Sequence, residues 1–154
     1  MNIKITLFAF AAMLLISGCS LLGDQADKRL GEACTDEVRY VRAQLFTDML
    51  EKHFGREFPD AVVRLQHKSK LIMLAVASKD EKAMDAAGDS YKADFVRLAG
   101  EVLLKRGIEV SVFGFDEAVE HLKKLPVLVA DINEIEATVR ITCAGAANSL
   151  AQSA

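Results

Sequence analysis

The sequence predicts an all-α domain, an irregular four-helix bundle, on three observations. Apolar residues recur at three- and four-residue spacing over most of the chain between Thr35 and Thr142, the repeat of one buried helix face. Basic residues followed by glycine, at Lys52-His53-Phe54-Gly55 and Lys105-Arg106-Gly107, mark helix ends within that pattern. The 154 residues are 51% hydrophobic and 6% aromatic, with no tryptophan, nine glycines and two prolines. Such a composition describes one core-forming domain rather than a disordered or collagen-like chain.

The first helix opens at Thr35, a capping residue, with Asp36 and Glu37 favourably placed at the positive end of its dipole. Its stripe is Val38, Val41, Leu45 and Met49, widened by Phe46 and Leu50, and Gly55 is expected to supply a left-handed cap. Pro59 and Asp60 open a second helix, Ala61 to Ala77. Its run Leu71-Ile72-Met73-Leu74-Ala75-Val76-Ala77 is apolar on every side and predicts a central position.

Ser78-Lys79-Asp80-Glu81 has capping-box spacing and is expected to start the third helix. Met84, Tyr91, Phe95, Leu98 and Val102 form its stripe, and Ala83, Ala86, Ala87 and Gly88 read as small residues for close packing. Ile108 to Phe115 breaks the helical repeat with apolar alternation and reads as extended, without a second strand candidate to pair with. From Asp116 the stripe Ala118, Leu122, Leu125, Val129, Ile132, Ile135, Val139 and Thr142 passes Pro126 in phase. That predicts a last helix kinked near Pro126, or two helices docked on one core, with Ala146 to Ala154 frayed.

Nineteen basic against 22 acidic residues give a net charge of −3. No overall basic excess exists to neutralise a nucleic-acid backbone, and the whole-chain charge gives no attraction to anionic membranes either.

Ahead of the helices, residues 1 to 18 carry one positive charge, Lys4, then the apolar run Ile5 to Ile16. That run is too short for a bilayer span, which needs about 20 apolar residues, and reads as a processing signal. It ends in Ile16-Ser17-Gly18-Cys19, which resembles the lipobox of bacterial lipoproteins, with Ile where Leu is commoner. The resemblance covers residues 1 to 19 only. It implies cleavage before Cys19, a diacylglycerol thioether on its sulfur and an acylated amino terminus. Ser20 in place of the aspartate that commonly retains such proteins at the inner membrane implies the outer membrane, facing the periplasm, or the outer face of the plasma membrane in a cell without an outer one. Several acyl chains suffice for stable anchoring.

The organisation expected is therefore a signal over 1–18, a short tether over 19–33 and a helical domain over 34–154. As a coil the tether spans roughly 20 Å, and fully extended no more than about 50 Å, so the domain sits close to its membrane. Setting Cys19 aside leaves Cys34 and Cys143, an even pair for an oxidising compartment, and predicts one disulfide from end to end of the domain. An up-down-up-down bundle would bring the two together. The loop closed is long enough for about 4.7 kcal/mol in the chain-entropy model.

Chemistry is sparse. Glu117, Glu120 and His121 put a carboxylate and an imidazole on one helical face, but His53 and His67 lack carboxylate companions at ligand spacing. Asp131, Glu134 and Glu136 read as a solvated acidic face. Without a phosphate loop, CxxC pair, zinc signature or nucleophile elbow, no cofactor or metal is expected. The function predicted is non-enzymatic: a lipid-anchored protein that binds another envelope protein, of the assembly or the immunity and exclusion type, or associates with itself. Phe113 and Phe115 are the candidate contact residues. The alternative is a periplasmic carrier of a lipid or other apolar ligand, lined by the segment 71 to 77.

Overall fold

The computed structural model describes residues 35–111 and 114–153. Among them are five α-helices and no strand: α1 Thr35–Phe54, α2 Pro59–Ser78, α3 Glu81–Lys105, α4 Phe115–Leu122 and α5 Pro126–Ser153. Thr35–Thr142 forms one compact unit, and the stretch of α5 from Cys143 onward lies outside it. No helix of the described residues is long and apolar enough to cross a membrane. The all-α expectation holds and the count of four does not; of the two readings of the last region, two helices docked on one core replaces the kinked helix.

Pro126 is the reason. A proline has no N–H to give the carbonyl four residues back, and the Leu122 carbonyl instead accepts from the Leu125 N–H at 3.0 Å, closing α4. Pro126 then stands as the first residue of α5, where its missing donor costs nothing. Ile132 and Ile135 of the expected stripe stay buried beyond the break, and only in the first turn of α5 does Leu128 take the buried place expected of Val129, which is 37% exposed. Beyond Gly145 the helix continues to Ser153 rather than fraying.

α1, α2 and α3 are consecutive helices joined by short turns. The Arg39–Asp85 ion pair, 2.7 Å, ties the start of α1 to the start of α3. At the other end, Glu57 in the first turn binds Arg106 at 3.1 Å and Lys105 at 3.3 Å. The Arg106 guanidinium also lies 4.7 Å from the Phe54 ring centre. Two marked ends therefore fix the orientation: α1 and α3 run the same way and α2 returns between them.

The third stripe is buried throughout, with Met84, Tyr91, Phe95, Leu98 and Val102 all at 3% exposure or less. On α1 the expected Phe46, Met49 and Leu50 are buried, joined by Ala43, Thr47 and Phe54, while Val38, Val41 and Leu45 are only half-covered. Thr47 can join that face because its hydroxyl donates to the Ala43 carbonyl at 2.7 Å, which removes the cost of burying it. Each large side chain withdrawn from water contributes about 1.5–3 kcal/mol.

α2 is not central. Val62, Leu65, Ser69, Ile72 and Ala75 face the core, while Leu71, Met73 and Leu74 point to solvent at 40%, 39% and 59% exposure. Its polar tie to α3 is Lys68, whose ammonium sits 2.5 Å from Asp94 Oδ2 without hydrogen-bond alignment and donates to the Ser90 carbonyl at 3.2 Å. Asp94 also binds Arg97 in the next turn of its own helix.

Helix ends depart from the sequence expectation in two places. Ser78 is the last residue of α2, its hydroxyl bonded back to the Ala75 carbonyl, and the cap of α3 is Asp80, which accepts the Ala83 N–H at 3.0 Å. Between them Lys79 is left-handed, at φ 54°. Lys79 N–H binds the Val76 carbonyl and Asp80 N–H the Ala75 carbonyl, both at 3.1 Å, a Schellman ending without its usual glycine. Gly107 ends α3 in the same manner at φ 73°, as the sequence predicts. Gly55 does not take a left-handed conformation; its role is close approach, since a Cβ there would lie 2.6 Å from the Glu51 carbonyl oxygen.

Of the segment expected to be extended, the described residues pair into no strand. Residues 108 to 111 have no regular structure, with Ile108 and Val110 packed partly against the core, while Val112 and Phe113 lie outside the described residues. Cys34 does too. Cys143 is the one cysteine among the described residues, half-buried on α5, so the Cys34–Cys143 bond falls outside what the structure describes.

The left-handed lysine generates a prediction. An αL residue with a Cβ costs about 1–2 kcal/mol, and glycine gives part of that back through a more flexible unfolded chain. Lys79→Gly should therefore raise stability by roughly 0.5–1 kcal/mol in urea unfolding; a loss would place the constraint on this turn elsewhere.

Candidate functional site

A recess of about 170 Å³ opens where α1, α2, α3 and the start of α4 meet. Its floor is built from the core outward. Phe95 on α3 is fully buried and touches three rings: Phe46 of α1 edge-on at 5.5 Å, Phe115 of α4 at 4.4 Å and Tyr91 at 6.2 Å. Phe46 meets Phe115 nearly perpendicularly, at 5.4 Å. Such edge and offset contacts contribute about 0.5–1.5 kcal/mol each beyond burial.

Tyr91 supplies the polar part of that floor. Its hydroxyl donates to the Ala43 carbonyl at 2.9 Å and lies 3.0 Å from the Thr47 hydroxyl. Burial pushes the phenol far above its ordinary value, against the opposing Thr47 hydrogen bond. The group therefore stays a neutral donor, serving structure rather than proton transfer.

The rim is charged with both signs. Arg42 lies over the Phe115 ring, 4.6 Å from its centre, and binds Asp116 at 2.6 Å. Arg39 binds Asp85 across the recess, both side chains well exposed at 41% and 67%. Lys92 and Asp89 close the α3 side. Gly88 leaves the opening: a Cβ built there meets no atom within 4 Å. The sequence marks Gly88 only as a packing residue, whereas it clears space for something else.

Phe115 thus stands at the recess, with its ring packed into the aromatic cluster, while Phe113 and the lipidation candidate Cys19 lie outside the described residues. Glu117 and His121 face each other at 3.9 Å, but Glu120 turns to Lys123 at 2.7 Å, so the three do not converge. No group of three metal-ligating side chains forms among the described residues.

The acidic face of α5 is not simply solvated. Asp131 receives His53 Nε2 at 2.7 Å and Lys52 at 3.0 Å from α1, and Glu136 receives Lys123 at 3.1 Å. His53 does have a carboxylate companion, supplied by a helix 78 positions away in sequence, a separation no local spacing reveals. The His53 hydrogen bond, then the Lys52 one, hold the Asp131 carboxyl below the usual range.

A carboxyl lowered by folding stabilises the native state above its unfolded value of about 3.9 and loses that contribution as pH falls toward the folded value. Melting temperatures of wild type and Asp131→Asn should therefore differ at neutral pH and converge in strong acid. Parallel curves down to acid pH would show that this pair carries no proton-linked stability.

Compared with protein-family models, curated proteins and solved structures, the chain matches none, so its function rests on its own residues.

Proposed function

We propose that the chain is a lipid-anchored bacterial envelope protein, held through Cys19 at the periplasmic face of the outer membrane, or on the outer plasma-membrane surface where that is the only membrane. It acts without catalysis by binding another envelope protein, in assembly or in immunity and exclusion, and a Cys34–Cys143 disulfide braces its domain. The Ile16-Ser17-Gly18-Cys19 signature supports the anchor.

One observation carries the binding role: the recess joins an aromatic floor to a rim of paired opposite charges. An apolar cavity of about 150 Å³ accommodates a benzene ring, so 170 Å³ receives one large apolar side chain. The arginines and aspartates around it are exposed enough to exchange partners at small cost, which suits a protein ligand with charged flanks. The carrier reading draws less support. Small-molecule pockets run to about 300–1,000 Å³, and Leu71, Met73 and Leu74 turn outward instead of lining a chamber. A larger cavity of about 530 Å³ mixes Pro59, Val62 and Val63 with the charged Glu51, Lys52 and Arg56, which suits a wholly apolar ligand less well.

The test uses two substitutions. Intact-mass analysis of membrane-extracted protein should find Cys19 acylated, and Cys19→Ser should abolish membrane retention. Gly88→Leu fills open space on a helix that tolerates it, so fold and anchoring should persist while cross-linking to the partner captured by wild type is lost. Equal capture by Gly88→Leu would remove the recess from the binding site.

A further inference from the structure

The face of α2 that the sequence places at the centre of the bundle is outside it, and its chemistry differs from the rest of the surface. Leu71 and Leu74, one turn apart on the same side of α2, are exposed at 40% and 59%. From Ala61 to Lys79 the chain holds Arg64, His67, Lys68, Lys70 and Lys79 and no carboxylate, in a protein that is acidic overall. Lys68 is spent on Asp94, but Arg64 and Lys70 are exposed and make no ion pair among the described residues. Exposed carboxylates flank this stretch rather than interrupt it: Asp60 in the first turn of α2, and Asp80 and Glu81 beyond its end, with Asp80 directed onto the first turn of α3.

Position makes this face relevant. The Arg39–Asp85 pair sets the beginning of α1 against the beginning of α3, and only two residues separate the end of α2 from the start of α3. Arg39, Ile72 and Asp85 border the same recess. Thr35, where the tether enters the domain, is thus at the same end as Leu71 and Leu74. With the anchor proposed above, the chain enters the domain at this end, which makes it the end nearest the membrane.

Resting on the anchor proposed above, we infer that the exposed end of α2 lies on the anionic lipid surface itself, with Leu71 and Leu74 entering the headgroup–acyl boundary and Lys70 and Lys79 among the phosphates. Exposed leucines flanked by unpaired cations are the composition of an interfacial helix, and lysine stems cover apolar surface while their ammonium groups stay in the headgroup layer. A local cationic face acts within a Debye length of about 8 Å, so the net charge of the distant remainder of the domain is largely screened.

The absence of tryptophan allows a direct readout. Leu74→Trp and, as a control on an exposed α3 leucine, Leu104→Trp are made in the full chain, purified from membranes and reconstituted in vesicles of phosphatidylglycerol and phosphatidylcholine. Leu104 is 63% exposed and Leu74 59%, so neither substitution disturbs the core. The expected result is blue-shifted emission from Leu74→Trp that is largely quenched by bromine-labelled acyl chains, more strongly with the anionic lipid, and unshifted emission from Leu104→Trp. Unshifted emission from Leu74→Trp on vesicles overturns the inference, as does a shift that appears only when envelope proteins are added, which assigns the face to a protein. Intact mass of the same samples reports the anchor separately: acylated protein with unshifted Leu74→Trp emission rejects the lipid contact and keeps the anchor, whereas quenched emission from unacylated protein rejects the anchor and keeps the contact.

Discussion

Phe95 is the contact on which the domain depends. Its ring touches Phe46 of α1, Phe115 of α4 and Tyr91 of its own helix and has no exposed surface, and Phe115 meets Phe46, Tyr91 and Phe95 from the α4 side. A short helix such as α4, eight residues long, has little stability of its own, since nucleating a helix is unfavourable and few bonds follow. What holds α4 is the docking of Phe115, Ala118, Val119 and Leu122 on the core. The recess, the position of Arg42 over Phe115 and the start of the path to α5 all follow from that docking.

The charged pairs play a different part. Arg39–Asp85, Arg42–Asp116, Lys123–Glu136 and Glu57–Arg106 each join two helices or a turn and a helix. Exposed pairs of this kind contribute about 0–1 kcal/mol, far less than one buried phenylalanine. They select which helix ends lie together rather than supplying the stability, and through that selection they put the start of α1 beside the end of α2. The same rim pairs are weak enough to exchange partners.

How much of this is readable from sequence depends on the range of the interaction. The stripe Met84 to Val102 and the Gly107 ending are local signals, and both appear in the fold. Ser78 and Asp80 compete for the same cap, and the spacing favours the serine; the Schellman ending at Lys79 gives the place to Asp80. Apolar content alone made α2 look central, because hydropathy does not say which side has a neighbour. Thr47 and Ser69 are buried through hydrogen bonds to their own helix backbone, which an apolar pattern skips. The candidate site was the least legible part: Phe115 was marked, but Arg42, Asp85 and Gly88 meet it only through tertiary packing, as His53 meets Asp131.

The central claim is that one aromatic contact unites α1, α3 and α4, and Phe95→Ala tests it most directly. Urea unfolding read together with amide hydrogen exchange should show a loss of about 3–5 kcal/mol, with exchange rising in all three helices together. A loss below about 1 kcal/mol, or faster exchange confined to α4, would contradict the account and move the organising contact away from Phe95.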